Sequence, residues 1–244
     1  MRILDLYYRY WANNNLAHVT KKYRIEIDFI VEAGCHDGSD TIRLLEEFPN
    51  ATILAYEPDN QARVRAQTLF SEIASERIQL FDNALSNVNE VRTLRYLDGI
   101  PGTGSSEISD GGDVSVNLRR LDDCIPAING ESGLLWLDVE GHAIQALQGM
   151  SMTLKKVKMA KIEIQMQKMS ESRLKDYNEV IDLLRVEKLY PLFAPLHPGY
   201  FGDIVFVKRE YLSALKIIKS KFLIFQLKIL HDFVYPALRK HPAA

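Results

Sequence analysis

The chain has 244 residues, 47% of them hydrophobic and 25% charged, with a formal net charge of -2 at pH 7. That length suits one large α/β domain with flanking helices, and the balanced charge excludes the chain-wide basic field that holds nucleic acid. Cys35 and Cys124 are too few for a disulfide framework, no secretory leader is read, and no apolar span of about twenty residues occurs, so a cytoplasmic protein is expected.

In chain order, Ile3, Leu4, Tyr7, Tyr8 and Trp11 recur at helical spacing and predict an amphipathic helix within residues 1–22. The run Ile25-Glu-Ile-Asp-Phe-Ile-Val31 then reads as a buried strand. It turns through Gly34 and Gly38 and enters a helix running to Phe48. Strand, glycine turn and helix together make a place where a polar or anionic small molecule approaches the backbone and unpaired N–H groups. Ala51 to Tyr56 is a second strand, ending in Glu57-Pro58. Glu57 falls about twenty residues past Gly34, the separation at which a carboxylate reaches the ribose hydroxyls of a nucleotide. A helix over Asn60 to Ser71 and a strand over Arg77 to Phe81 follow, leading to Asp82 and Asn83. This β-α-β-α-β order makes the strands parallel, gathers their carboxyl ends on one ligand-binding edge, and puts Asp82 or Asn83 within reach of a base's amine.

Val91 to Leu97 and Val114 to Leu118 predict an inserted β-hairpin, the insertion spanning about residues 88–120. The Gly- and Ser-rich stretch between them, Asp98 to Asp113, reads as a mobile flap over the ligand edge. Gly133 to Leu137 is an apolar strand that delivers Asp138 and Glu140 to its carboxyl end, where paired acids are costly unless used. A helix runs from about His142 to Gly149, read as its C-terminal stop. Val157 to Met166, with Glu163 inside it, is the fifth core strand, Arg173 to Leu184 a helix, and Tyr190 to Phe193 and Asp203 to Lys208 the sixth and seventh strands. The link between the last two is too short for a crossover, so they pair antiparallel, and His197 and Tyr200 come to the ligand edge. From Glu210 onward, Leu215, Ile218, Phe222, Phe225 and Ile229 stand among lysines in one amphipathic helix. It packs on the domain, zips to a second subunit as a homodimer, or lies peripherally on an anionic membrane.

With these blocks in place the chain resembles the FkbM-type family of S-adenosylmethionine-dependent methyltransferases from about Phe29 to Lys208. Three blocks carry the resemblance: Val31-Glu-Ala-Gly-Cys-His-Asp-Gly-Ser-Asp-Thr41; Ala55-Tyr-Glu-Pro58; and Trp136-Leu-Asp-Val-Glu-Gly141 followed by Leu147-Gln-Gly149. Ala84-Leu-Ser-Asn87 and Arg120-Leu-Asp-Asp123 also fit. The resemblance implies a Rossmann-like class I methyltransferase fold: a seven-stranded, mostly parallel sheet with an antiparallel last strand, over residues 23–209. It also implies S-adenosylmethionine as methyl donor, with Glu32, Gly34, His36 and Gly38 at its amino-acid and sulfonium end, Glu57 and Pro58 at the ribose, Asn83 and Ala84 at the adenine, and Asp138 facing methyl transfer. Glu32 departs from the family's usual Asp, and His142-Ala143 from its usual Ala-Glu.

The expected reaction is O-methylation of a saccharide or secondary-metabolite hydroxyl by in-line displacement. A general base is required, and Asp138, Glu140, His142 and His197 are the candidates. A divalent metal that positions a sugar diol is an open possibility for the acids. Two other readings stand beside this one. A nicotinamide-dependent oxidoreductase fits Glu57 but not the glycine spacing. A catalytically silent binding module would use the fold and the terminal helices alone.

Overall fold

The computed structural model describes residues 16–124, 130–164, 171–193, 202–219 and 221. Residues 1–15 of the stretch 1–22 in which a helix is predicted, and the whole tail beyond Lys221, lie outside the described residues. The elements, in chain order, begin with α1 (Leu16–Tyr23), β1 (Phe29–Ala33), α2 (Ser39–Glu47), β2 (Thr52–Tyr56), α3 (Asn60–Ile73) and β3 (Ile78–Phe81). Next come β4 (Asn83–Leu85), β5 (Glu90–Tyr96), β6 (Ser106–Ser109), β7 (Val114–Arg119), α4 (Leu121–Cys124) and β8 (Gly133–Leu137). The remainder are α5 (Ala143–Gln148), α6 (Ser151–Lys156), β9 (Val157–Ile164), α7 (Glu171–Val186), β10 (Leu189–Phe193) and β11 (Gly202–Lys208).

Seven strands form the main sheet in the order β10-β11-β9-β8-β1-β2-β3. All run parallel except β11, which is antiparallel to both β9 and β10. β1 and β8 are buried at every position, as continuous apolar runs must be when helices cover both faces of a sheet. One face packs Ile30, Ile53, Trp136 and Val205 against α1, α2 and α3. The other packs Val31, Leu135, Ile162 and Phe206 against α5, α6 and α7. The strand order reverses between β1 and β8, so a crevice opens there at the carboxyl ends, where open α/β sheets take their ligands.

On the α2 face a buried cation is held by several groups at once. Lys161 on β9 is 4% exposed, lies 3.6 Å from the Trp136 ring centre and 3.1 Å from an Asp203 carboxylate oxygen on β11. Arg43 of α2 approaches the same ring at 5.0 Å. A paired charge against an aromatic face tolerates burial that a lone ammonium would not.

The insertion is larger than the expected hairpin. β4, β7, β5 and β6 form a second, four-stranded sheet, with β5 antiparallel to both β6 and β7 and β4 parallel to β7. The stretch read as a flap therefore contains a strand. Its alternation is disguised because the inward residue of β6 is Glu107, buried and ion-paired with Arg95, where an apolar side chain would be expected. Gly149 ends α5 as expected, with an ordinary right-handed backbone, and α6 begins two residues later. A Cβ at Gly149 would lie 1.7 Å from the Ser86 carbonyl oxygen, so close approach of the chain leaving β4 excludes a side chain there.

Beyond β11, Ile217 packs on the α1 face together with Tyr211 and Leu212, and Lys216 lies 4.0 Å from the centre of the Tyr23 ring. Leu215 and Ile218 of the predicted apolar stripe are exposed. No helix among the described residues is long and apolar enough to cross a membrane.

Candidate functional site

The turn after β1 is built by contacts to its two neighbouring strands. Gly34 and Cys35 donate their backbone N–H groups to the Tyr56 carbonyl at the end of β2, at 2.9 and 3.1 Å. Gly34 has φ 82, and a Cβ on it would fall 1.8 Å from the Asp138 carbonyl oxygen. Glycine is thus required to let the end of β8 press against this turn, which is what brings Asp138 into the crevice. Gly38 opens α2 and faces Phe70 of α3 instead of the crevice, a Cβ there meeting that ring at 2.6 Å.

Glu57 is fixed by backbone amides on both sides. Its Oε2 accepts the His36 N–H at 2.9 Å, and its Oε1 accepts the Asp59 N–H at 2.8 Å. Burial pushes this carboxyl above its ordinary range, while the two N–H bonds pull it back. Each oxygen retains a further acceptor position, so a pair of vicinal hydroxyls meets a preset bidentate acceptor.

These groups line a cavity of about 530 Å³, a size typical of small-ligand sites. Gly34, His36, Glu57 and Pro58 lie along it, as do Asn83 and Ala84 at the start of β4. Asp138, Glu140 and His142 from the β8–α5 turn form its other end. Glu32 and Gly38 do not line it. Glu32 is fully enclosed in β1, with Oε2 accepting the Thr41 hydroxyl at 2.6 Å and Oε1 without a hydrogen-bond partner. His197 and Tyr200 lie outside the described residues.

The two ends differ in acid–base character. Burial and then the charge of Asp138 push the Glu140 carboxyl up to about 7, on a residue whose φ of 34 puts its backbone in the left-handed region. Burial lowers His142 to about 4, so its ring is neutral at physiological pH, with Nε2 3.1 Å from the Ser86 hydroxyl. Glu163, near the end of β9, also lines the cavity. Its carboxyl is held well above its ordinary range, by burial first and by Asp138 second. Among the described residues, no group of three His, Cys, Asp or Glu side chains is arranged to hold a metal.

The insertion supplies the roof. Thr103 through Ile108 line the cavity, and the loop that carries them is tied down at Gly102. Gly102 donates its N–H to Asp59 Oδ2 at 2.8 Å, and its carbonyl faces both Arg65 and His36 Nε2, the latter at 2.8 Å. His36 therefore serves two ends, its amide fixing Glu57 and its ring fixing the roof. Sequence reasoning missed Glu163, Arg65 and the roof contacts. Glu163 left one signal, an acid near the end of a core strand; Arg65 left none, being one of several polar residues on an exposed helix.

A methyltransferase FkbM domain model matches residues 32–190. The chain is 28% identical over 199 residues to the 2-O-methyltransferase NoeI of Sinorhizobium fredii (strain NBRC 101917 / NGR234), covering 72% of this chain and 77% of that protein. Among solved structures, a putative rRNA methylase from Clostridium thermocellum aligns with a TM-score of 0.47 at 12% identity, covering 79% of this chain and 92% of the other. Magnesium protoporphyrin IX methyltransferase from Synechocystis PCC 6803 aligns with a TM-score of 0.45 at 11% identity, covering 81% and 77%.

Proposed function

The chain belongs to the FkbM methyltransferase family, and from that premise we propose that it transfers the methyl group of S-adenosylmethionine to a hydroxyl of a saccharide or similar polyol. The observation that carries this reading is one cavity with two unlike ends: Glu57, fixed by two amides to receive a diol, and the acids Asp138 and Glu140 opposite. The relative named as a 2-O-methyltransferase supports oxygen as the accepting atom. The hydroxyls of Thr103, Ser105 and Ser106 along the roof support a polar, many-hydroxyl acceptor.

The residues present fit the donor. Glu57 would hold the ribose, Asn83 and Ala84 would flank the adenine, and the exposed backbone at Gly34 would admit the amino-acid part. When bound, the donor supplies an electrophilic methyl on a sulfonium. An acceptor oxygen would take that methyl as the carbon–sulfur bond breaks, and its hydroxyl proton would then need a base within hydrogen-bond reach. Glu140 is the group suited to take it. A carboxyl held near 7 is substantially ionised at neutral pH yet basic enough to draw a proton from a hydroxyl in the transition state. Neutral His142 is a weak base at about 4 and serves as a hydrogen-bonding wall beside it.

Calorimetric titration of the protein with S-adenosylmethionine, beside NAD and beside Glu57→Ala, tests the reading. Micromolar donor binding that weakens about tenfold or more in the variant is expected. Acceptors are then screened by the mass gain of one methyl group, with Glu140→Gln expected to lose about 10²- to 10⁴-fold in kcat. Absence of donor binding by the wild-type protein would refute the proposal.

A further inference from the structure

Glu163 has no part in the mechanism above, yet it lines the same cavity wall as Asp138. Leu137 of β8 pairs in register with Ile162 of β9, so Asp138 and Glu163 are the next pair along two parallel strands. On the opposite edge of β9, Glu163 pairs with Asp203 of β11. The Lys161 ammonium, two residues earlier on the same face, is committed to Asp203 and to the Trp136 ring. The groups facing Glu163 are therefore acids from three neighbouring segments: Asp138 at the tip of β8, Glu140 in the turn after it, and Asp203 on β11. Asp138 and Glu163 thus project as neighbours from adjacent parallel strands into one cavity wall. Two carboxylates side by side in such a wall repel unless one of them keeps its proton, and the protonated one can donate it to the other.

We propose that Glu163 is a positioning residue: its carboxyl group donates a hydrogen bond to the Asp138 side chain, so that the pair holds one proton and Asp138 is fixed at the wall that receives the acceptor. The identity of what Asp138 receives rests on the methyltransferase reading; the proton-sharing pair does not. Burial assigns the proton to Glu163, and the surrounding acids reinforce that assignment. The consequence is a wall that carries one negative charge where the sequence alone would count two.

The test follows the carboxyl carbons of the full chain, labelled with ¹³C at glutamate Cδ, through a pH titration by NMR. One glutamate signal, identified by its loss in Glu163→Gln, is expected to remain protonated above about pH 7, and Asp138→Asn is expected to move its midpoint to lower pH. A Glu163 signal already ionised near pH 6, or a midpoint that Asp138→Asn leaves in place, would overturn the proposal, the second outcome meaning burial without coupling. On turnover, Glu163→Gln keeps an N–H donor for Asp138 and is expected to retain kcat within about threefold, whereas Glu163→Ala loses roughly 10- to 100-fold with donor affinity unchanged. Equal losses in the two variants would also overturn it. Failure of the methyltransferase reading shows separately, as absent donor binding beside an intact titration.

Discussion

Glu32 sits wholly inside β1 with Thr41 on one oxygen and nothing on the other, and burial pushes its carboxyl up to about 8 against an ordinary value of 4.5. The folded protein thus keeps a proton that the unfolded chain gives up. The stabilisation from that proton is complete below the unfolded value and is lost as pH rises through the folded one, so stability declines between about pH 4.5 and 8 by at most about 1.4 kcal/mol per pH unit. Glu32→Gln keeps the shape without the proton. Urea unfolding from pH 5 to 8 is expected to show the wild-type protein losing stability relative to this variant as pH rises; parallel curves would mean that Glu32 stays ionised. In the sequence Glu32 and Glu57 look alike, both acids at the carboxyl end of an apolar strand. They separate by position along the strand. Glu57 lies one residue past β2, where its oxygens meet turn amides, while Glu32 lies within β1, under α2. Spacing from Gly34 is legible in a sequence; enclosure by a helix packed across the strand is not.

Among the elements, α6 depends on a cap from outside its own chain segment. Asp122 of α4 accepts the Thr153 N–H and hydroxyl at 3.0 and 2.9 Å through Oδ1, and the Met152 N–H at 2.7 Å through Oδ2. The carboxylate satisfies two of the helix's free N–H groups and opposes the positive end of its dipole. Asp122→Ala is expected to cost about 1–2 kcal/mol, read as a lowered urea midpoint with the slope unchanged. Because α4 follows β7, this bond also ties the end of the roof-bearing sheet to the main core. The main-sheet strands are legible at this scale because their hydrophobic runs are long and end at turn residues, as at Gly133 to Leu137. β6 is hidden by its short length, its Gly and Ser neighbours, and by Glu107 turned inward toward Arg95.

Over the whole molecule the charge is nearly balanced, but the cavity is not. Eight Asp and Glu residues line it, and among the described residues no Lys or Arg does; with Glu107 paired to Arg95, Asp40 to Arg43, and one proton held by Asp138 and Glu163 together, the balance there is still negative. An acceptor carrying a phosphate, sulfate or carboxylate beside the reacting hydroxyl would be pressed against like charge. Its KM is expected to be about tenfold or more above that of the neutral analogue, with the gap narrowing as salt is added. Equal KM values for a neutral and an anionic acceptor of the same skeleton would show that the field is neutralised in solution. The antiparallel pairing of β10 with β11 is legible from the short link between them, whereas the place of β11 between β9 and β10, and its bearing on the site, emerge only from the sheet order. On the ribosome, the strands that carry Glu57 and Asp138 leave the exit tunnel long before β11 does. Until then the nascent β9 shows an open edge, β10 has no partner, and Asp203 has not reached Lys161. The half of the cavity lined by Glu57 is therefore free to form during synthesis, while the half lined by Glu163 waits for β11 to be wedged home.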